Sequence, residues 1–114
     1  MKIKIRKYQP SDYQACRNLF SELKKHHRDI YSDQTIGRKD PGEGIDLYLE
    51  NKRLHGPWVA IFNEEVIGLI GLLKNDEEAI IEPVIVSSEY RNQGVGKLII
   101  EHLVKEANKI DVRF

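Results

Sequence analysis

The chain opens "KIKIRK", in which Ile3 and Ile5 alternate with basic residues, a period of two that predicts a strand with one buried face. After Pro10, Tyr13, Cys16, Leu19, Phe20 and Leu23 recur at helical spacing. "SDYQ" offers Ser11 as N-cap with Gln14 three residues on, a capping box, so a first helix is predicted over about 12–27. Residues 29–44 are mixed in charge and close on "DPGEG", a loop signal. A short second helix follows, packed down through Ile45, Leu47, Tyr48 and Leu49. From Gly56 the period shortens: "PWVAIF", "VIGLIGLL" and "AIIEPVIV" read as three strands, the first two joined as a hairpin by the polar turn Asn63–Glu65. The last run shows little alternation, which predicts a central strand covered on both faces. The segment "RNQGVGK" then leads into a helix over about 95–108 with a broad apolar stripe of Leu98, Ile99, Leu103, Val104 and Ala107, and "IDVRF" opens a further strand. The order β-α-α-β-β-β-α-β predicts an α/β (α+β) domain with a mixed, mostly antiparallel sheet and helices on both faces.

Composition narrows the setting. At 114 residues, 1–114 is read as one domain. Lys plus Arg and Asp plus Glu number 18 each, so summed charge gives no reason to expect nucleic acid or an anionic membrane as partner. Cys16 is the single cysteine, "MKIKIRKY" lacks the apolar stretch of a signal peptide, and no apolar run approaches the roughly 20 residues that span a bilayer. The expectation is a soluble, cytoplasmic protein.

The two glycines of "RNQGVGK" stand where a helix should begin. The first N–H groups of a helix lack intrahelical partners and, with the helix dipole, attract anions. Gly94 and Gly96 would let a phosphate approach those groups, and Arg91 and Lys97 add positive charge beside them. The alternative is an ordinary strand-to-helix turn. Spacing separates the anion loops. A Walker-type loop fails because Arg91 stands where its first glycine belongs and Leu98 where its Ser or Thr belongs. A dinucleotide fingerprint fails because its third glycine would fall at Ile99. What remains is Arg-x-x-Gly-x-Gly after a strand and opening a helix. Together with "IEPVIVSSEYR" and the element order, this stretch resembles the coenzyme A-binding motif of the GCN5-related N-acetyltransferase (GNAT) family.

The resemblance implies that acetyl-CoA is the cosubstrate. Its pyrophosphate would sit on Arg91, Asn92, Gln93, Gly94, Val95, Gly96 and Lys97, and its pantetheine arm would run along Val84, Ile85 and Val86. Pro83 agrees with this, since proline in a strand marks a bulge or a stop in pairing. The implied activity is transfer of acetyl to a primary amine of a small molecule or protein; the competing reading is a non-catalytic acyl-CoA-binding or interaction module. GNAT domains normally continue with another helix and strands, so the expected fold is incomplete at its C-terminus, and a catalytic acid is not identified. An unpaired strand edge near Ile110–Phe114 would favour a homodimer.

Amine acetylation needs a neutral amine, and an alkyl ammonium has a pKa of about 10, so a base or water relay is required. Glu82 is the candidate: it lies in an Ile/Val-rich strand, period-2 parity puts it on the face of Val84 and Val86, and burial there would raise its pKa. The alternative is a structural carboxylate paired with a cation such as Arg91. A free N–H near Val84 could polarise the thioester carbonyl. His26, His27, His55 and His102 show no metal-ligand spacing, so no metal site is expected. Cys16 reads as core, Trp58 and the tyrosines as packing, Tyr90 as an anchor for the loop, and "KKHHR" at 24–28 as a solvated helix end, favourable to the dipole, with contact to an anion as the alternative. Residues 29–44 are expected to help line the acceptor site but favour no substrate charge.

Overall fold

The computed structural model describes residues 2–31, 40, 42–75 and 78–109. Four strands, β1 (Lys4–Lys7), β2 (Leu54–Phe62), β3 (Glu65–Asn75) and β4 (Glu78–Val86), pair antiparallel in the order β1-β2-β3-β4. Helices α1 (Tyr13–Tyr31) and α2 (Gly44–Glu50) cover one face, and α3 (Val95–Lys109) the other. The expected α+β layering with helices on both faces is what the chain adopts. The strand expected at "IDVRF", and the dimer edge assigned to it, fall on residues 110–114, outside the described residues.

Each face has its own core. Cys16, Leu19 and Phe20 of α1 and Ile45 of α2 bury against Val59, Leu69 and Ile85. On the opposite face Val95, Ile99, Leu103 and Ala107, one every four residues along α3, bury against Trp58, Ala60, Ile67, Ile70, Leu72 and Ala79. Removing side chains of this size from water at about 25 cal/mol per Å² is the main force holding the layers together. The α3 stripe is narrower than expected: Leu98 and Val104 are exposed, because a helix resting on one sheet buries a single row and its flanks. Leu47 is exposed too, so α2 is held by Ile45, Tyr48 and Leu49.

The entry to α1 differs from the capping box expected at Ser11 and Gln14. Pro10 starts a 3-10 turn (Pro10–Asp12), and the carboxylate that accepts is Asp12, from the Gln9 N–H at 2.8 Å. Asp12, 5% exposed, also takes both arms of the Arg6 guanidinium, at 2.8 and 2.9 Å. This two-pronged bond ties β1 to α1. The turn from β2 to β3 is two residues long, with Asn63 at φ 48° and Glu64 at φ 63°, and Glu65 already pairs with Phe62. Two residues in the left-handed region twist a hairpin in the sense that strands prefer. Strand β2 begins at Leu54, earlier than expected, so His55 lies within it.

The Arg6 guanidinium, then the Gln9 N–H, hold the Asp12 carboxyl below the usual carboxylate range. A depressed folded-state pKa stabilises the protein above the unfolded value of about 4 and ceases to do so as pH falls through the folded value. Asp12→Asn should therefore cost about 1–3 kcal/mol at neutral pH, and in thermal melts its deficit against wild type should shrink below about pH 4. A deficit constant from pH 7 to pH 3 would mean that the carboxylate charge contributes nothing.

Candidate functional site

Strand β4 was expected to be central, yet its only partner among the described residues is β3. The β3–β4 pairing is itself interrupted at Pro83. Ile81 pairs with Leu72 and Val84 with Ile70, so Glu82 and Pro83 together face the single residue Gly71, a β-bulge. On the other side of Gly71, His55 pairs with Leu72 and Trp58 with Ile70, so Gly56 and Pro57 form a matching bulge on β2. Proline lacks the N–H that a ladder needs, and both neighbours of β3 lose their pairing at one level.

The β4 bulge resets the side-chain alternation. Ile81 and Val86 both pack against the α3 cluster although their positions differ by an odd number, while Ile85 packs on the α1 side. Glu82 is thus not on the face of Val86: it lines a cleft on the α1–α2 side, and it is exposed rather than buried. The burial argument for Glu82 does not apply. Among the described residues Glu82 forms no ion pair, with Arg91 or any other cation.

Beyond the bulge the strand is regular. The Ser87 N–H donates to the Ile67 carbonyl at 2.8 Å, so by antiparallel alternation Ile85 turns its backbone to β3, and Val84 and Val86 turn theirs away. The Val86 carbonyl is taken by Arg91 Nε at 3.2 Å. Ile85 is buried and anchors the strand, while Val84 is 39% exposed.

The glycine segment follows at once. A 3-10 turn, Ser88–Tyr90, ends with the Tyr90 ring edge-on to Phe62 at 5.8 Å, the anchoring expected of it. Gln93 donates to the Glu89 carbonyl at 3.2 Å, and Asn92 and Gly94 take φ of 64° and 82°. Gly94 is the residue that left-handed conformation favours. The first helical bond of α3 runs from the Leu98 N–H to the Gly94 carbonyl, so the N–H groups of Val95, Gly96 and Lys97 have no intrahelical acceptor. The space over them is open: a Cβ at Gly94 would meet nothing within 4 Å, and one at Gly96 only Val86 Cγ2 at 3.9 Å. Lys97, Asn92, Gln93 and Gly94 are exposed, and Val95 is buried as the first core residue of the helix.

The cleft beside Glu82 measures about 510 Å³. Helix α1 lines it with Phe20, Leu23, Lys24 and His27, α2 with Gly44, Leu47, Tyr48 and Asn51, and the sheet with Leu73, Glu82, Pro83 and Val84. Tyr48 reaches its floor. A Cβ at Gly71 would lie 1.5 Å from the Tyr48 hydroxyl, so only glycine leaves room for it, and this buried hydroxyl has no hydrogen-bond partner among the described residues. Burial, then the nearby Cys16 and Glu82, raise the phenol above its ordinary pKa. Cys16 is fully buried and its thiol is pushed up to about 12 by burial, which keeps it protonated and inert as a core residue.

Sequence reasoning singled out Glu82 and the glycine segment as candidates and set aside an anion contact at residues 24–28, and it did not place Lys24, His27, Leu47 or Tyr48 beside Glu82. The available signal was the spacing of Phe20, Leu23, Lys24 and His27 on one face of α1; that this face meets the β4 bulge is a tertiary fact. The stretch expected to line the acceptor site includes residues 32–39 and 41, which lie outside the described residues. Among the described residues no three His, Cys, Asp or Glu side chains converge as metal ligands, and no helix is long and apolar enough to cross a membrane.

Comparison with known proteins bears on these features together. The Acetyltransferase (GNAT) family model matches residues 14–114. The uncharacterized N-acetyltransferase YafP of Escherichia coli (strain K12) is 29% identical over 113 residues, covering 96% of this chain and 71% of that protein. A GNAT family acetyltransferase from Brucella melitensis, solved in complex with acetyl-CoA, superposes with a TM-score of 0.76 at 23% identity, over 98% of this chain and 72% of the other. An aminoglycoside 6'-N-acetyltransferase complexed with coenzyme A gives a TM-score of 0.70 at 17% identity over 93% of this chain, which spans 56% of that protein. At such identities the structural matches establish a shared fold. The family match, the antiparallel sheet and the glycine segment between β4 and α3 agree, and this chain belongs to the acetyltransferase (GNAT) family.

Proposed function

We propose that the protein transfers an acetyl group from acetyl-CoA to a primary amine. The observation that carries this reading is the uncovered N-terminus of α3. Gly96 lies in its first turn, where glycine costs up to about 1 kcal/mol of helix stability relative to alanine, and no packing neighbour requires it. Close approach of a ligand is the remaining reason for so bare a surface. A pyrophosphate is an apt ligand, because several N–H donors and the dipole act on it together.

In this reading the segment Arg91–Lys97 holds the pyrophosphate through its backbone N–H groups, with the Lys97 ammonium beside them. Arg91 fixes the segment to the end of β4 through Val86. The outward N–H groups of Val84 and Val86 and the Val84 carbonyl offer hydrogen bonds to an extended amide-bearing arm, as an added strand would accept them. Acetyl-CoA supplies the activated thioester. The Val84 N–H is available to an oxygen that gains negative charge during transfer. Glu82, in the cleft wall next to Val84, removes a proton from the incoming ammonium, directly or through water, so that the nitrogen lone pair is free to attack. Attack forms the C–N bond and breaks the thioester C–S bond, and the departing CoA thiolate takes up the proton that the acetylated nitrogen releases. The apolar walls of the cleft exclude water from the thioester and receive the body of the acceptor.

Two measurements bear on this reading. Titration calorimetry with CoA should show binding by wild type and a loss of at least about tenfold in Gly94→Val, whose side chain would fill the open space over the helix N-terminus. Positive φ makes that variant strained, so its melting temperature is read in parallel; unchanged CoA affinity in a folded Gly94→Val would remove the loop from the site. Glu82→Gln should lower turnover at neutral pH by roughly 10²–10⁴ with CoA affinity retained, the range expected for acid–base catalysis. Turnover within about twofold of wild type would reduce Glu82 to a part of the cleft wall.

A further inference from the structure

We infer that the acceptor is an apolar amine carrying an anionic group of its own, and that Lys24, with His27 beside it, receives that anion. The inference deepens the acetyltransferase reading and rests on it. The charges of the cleft are segregated. Among the described residues its one acidic side chain, Glu82, stands on β4, and its two basic ones, Lys24 and His27, stand on α1. Phe20 and Leu23 precede them on the same helix face, at the three- and four-residue spacing of one stripe, so the wall passes from apolar to cationic along α1. A cleft of about 510 Å³ falls in the small-molecule range.

Lys24 is half-buried and has no carboxylate partner among the described residues, whereas the Arg6 and Arg17 guanidiniums are paired with Asp12 and Asp40. A favourable helix dipole does not account for it, because Lys24 lies about two turns before the end of α1 at Tyr31 and the dipole acts within the last turn. With its stem against an apolar wall and no carboxylate beside it among the described residues, Lys24 has its ammonium available to an anion, and a carboxylate or phosphate there forms a charge-assisted hydrogen bond. A diamine or polyamine would bring a second ammonium against the same lysine and be repelled. The amine end of the acceptor is drawn instead to Glu82.

Matched acceptors test this in the full chain. One set is 6-aminohexanoate, hexylamine and hexane-1,6-diamine, which differ only in carrying a carboxylate, a methyl or an ammonium at the far end; the other is phenylalanine and phenethylamine, with the carboxylate next to the amine. CoA is titrated first, then each amine into the CoA-saturated protein, and kcat/KM is measured with acetyl-CoA. In at least one set the carboxylate should improve both affinity and kcat/KM by about tenfold over the plain amine, with the diamine weakest. Lys24→Gln should bring that ratio close to one, and Lys24→Arg should retain it. A diamine preferred to the carboxylate, a ratio near one in both sets, or a ratio unchanged in Lys24→Gln would each overturn the inference while leaving the acetyltransferase reading intact. Absence of CoA binding in the first titration would overturn both.

Discussion

Proline cannot donate to a β-ladder, and in this sheet it interrupts two strands at one level. Pro57 on β2 and Pro83 on β4 both stand opposite Gly71, each as half of a two-residue bulge. Much of the site depends on this interruption. It resets β4 so that Glu82 faces the α1–α2 cleft, and beyond it regular antiparallel alternation turns the backbone groups of Val84 and Val86 away from β3. It also coincides with a floor so close that the Tyr48 hydroxyl fills the space of a Cβ at Gly71. A fully paired, regular β4 would present neither the carboxylate nor the outward N–H groups in this arrangement.

The other half of the site is built at the end of the same strand. The chain leaves β4 through a 3-10 turn fixed by Tyr90 against Phe62, then enters α3 with Val95 already buried, so the helix N-terminus is held by core packing on both sides of the loop. Arg91 closes the arrangement by reaching back to the Val86 carbonyl. Strand end and helix N-terminus are thereby tied to each other through core packing and the Arg91–Val86 hydrogen bond.

Local chemistry made much of this legible in the sequence, and tertiary context hid the rest. The glycine segment was readable because its spacing excludes two other anion loops, and α1 because its apolar residues keep helical spacing. Strand β4 misled for a definite reason: the bulge at Glu82–Pro83 shifts the period in mid-strand, so alternation on either side of it merges into a run that looks uniformly apolar. From that run follow the central placement, whose second neighbour falls on residues 110–114 outside the described residues, and the burial of Glu82, which the structure corrects. Ser11 looked like a cap because the 3-10 turn set by Pro10, which hands the role to Asp12, has no distinct sequence signature. Nothing in the spacing of Lys24 and Tyr48 could announce that α1, α2 and β4 meet at one cleft.

The central claim is that one ligand, CoA, is held jointly by the outward backbone of β4 and the N-terminus of α3. Backbone amide chemical shifts followed through a CoA titration test it residue by residue. The account predicts the largest saturable changes at Val84, Val86 and the segment from Asn92 to Lys97, with the β1–β2 pairing far less affected. Saturable changes confined to other surfaces, or none at millimolar CoA, would contradict it.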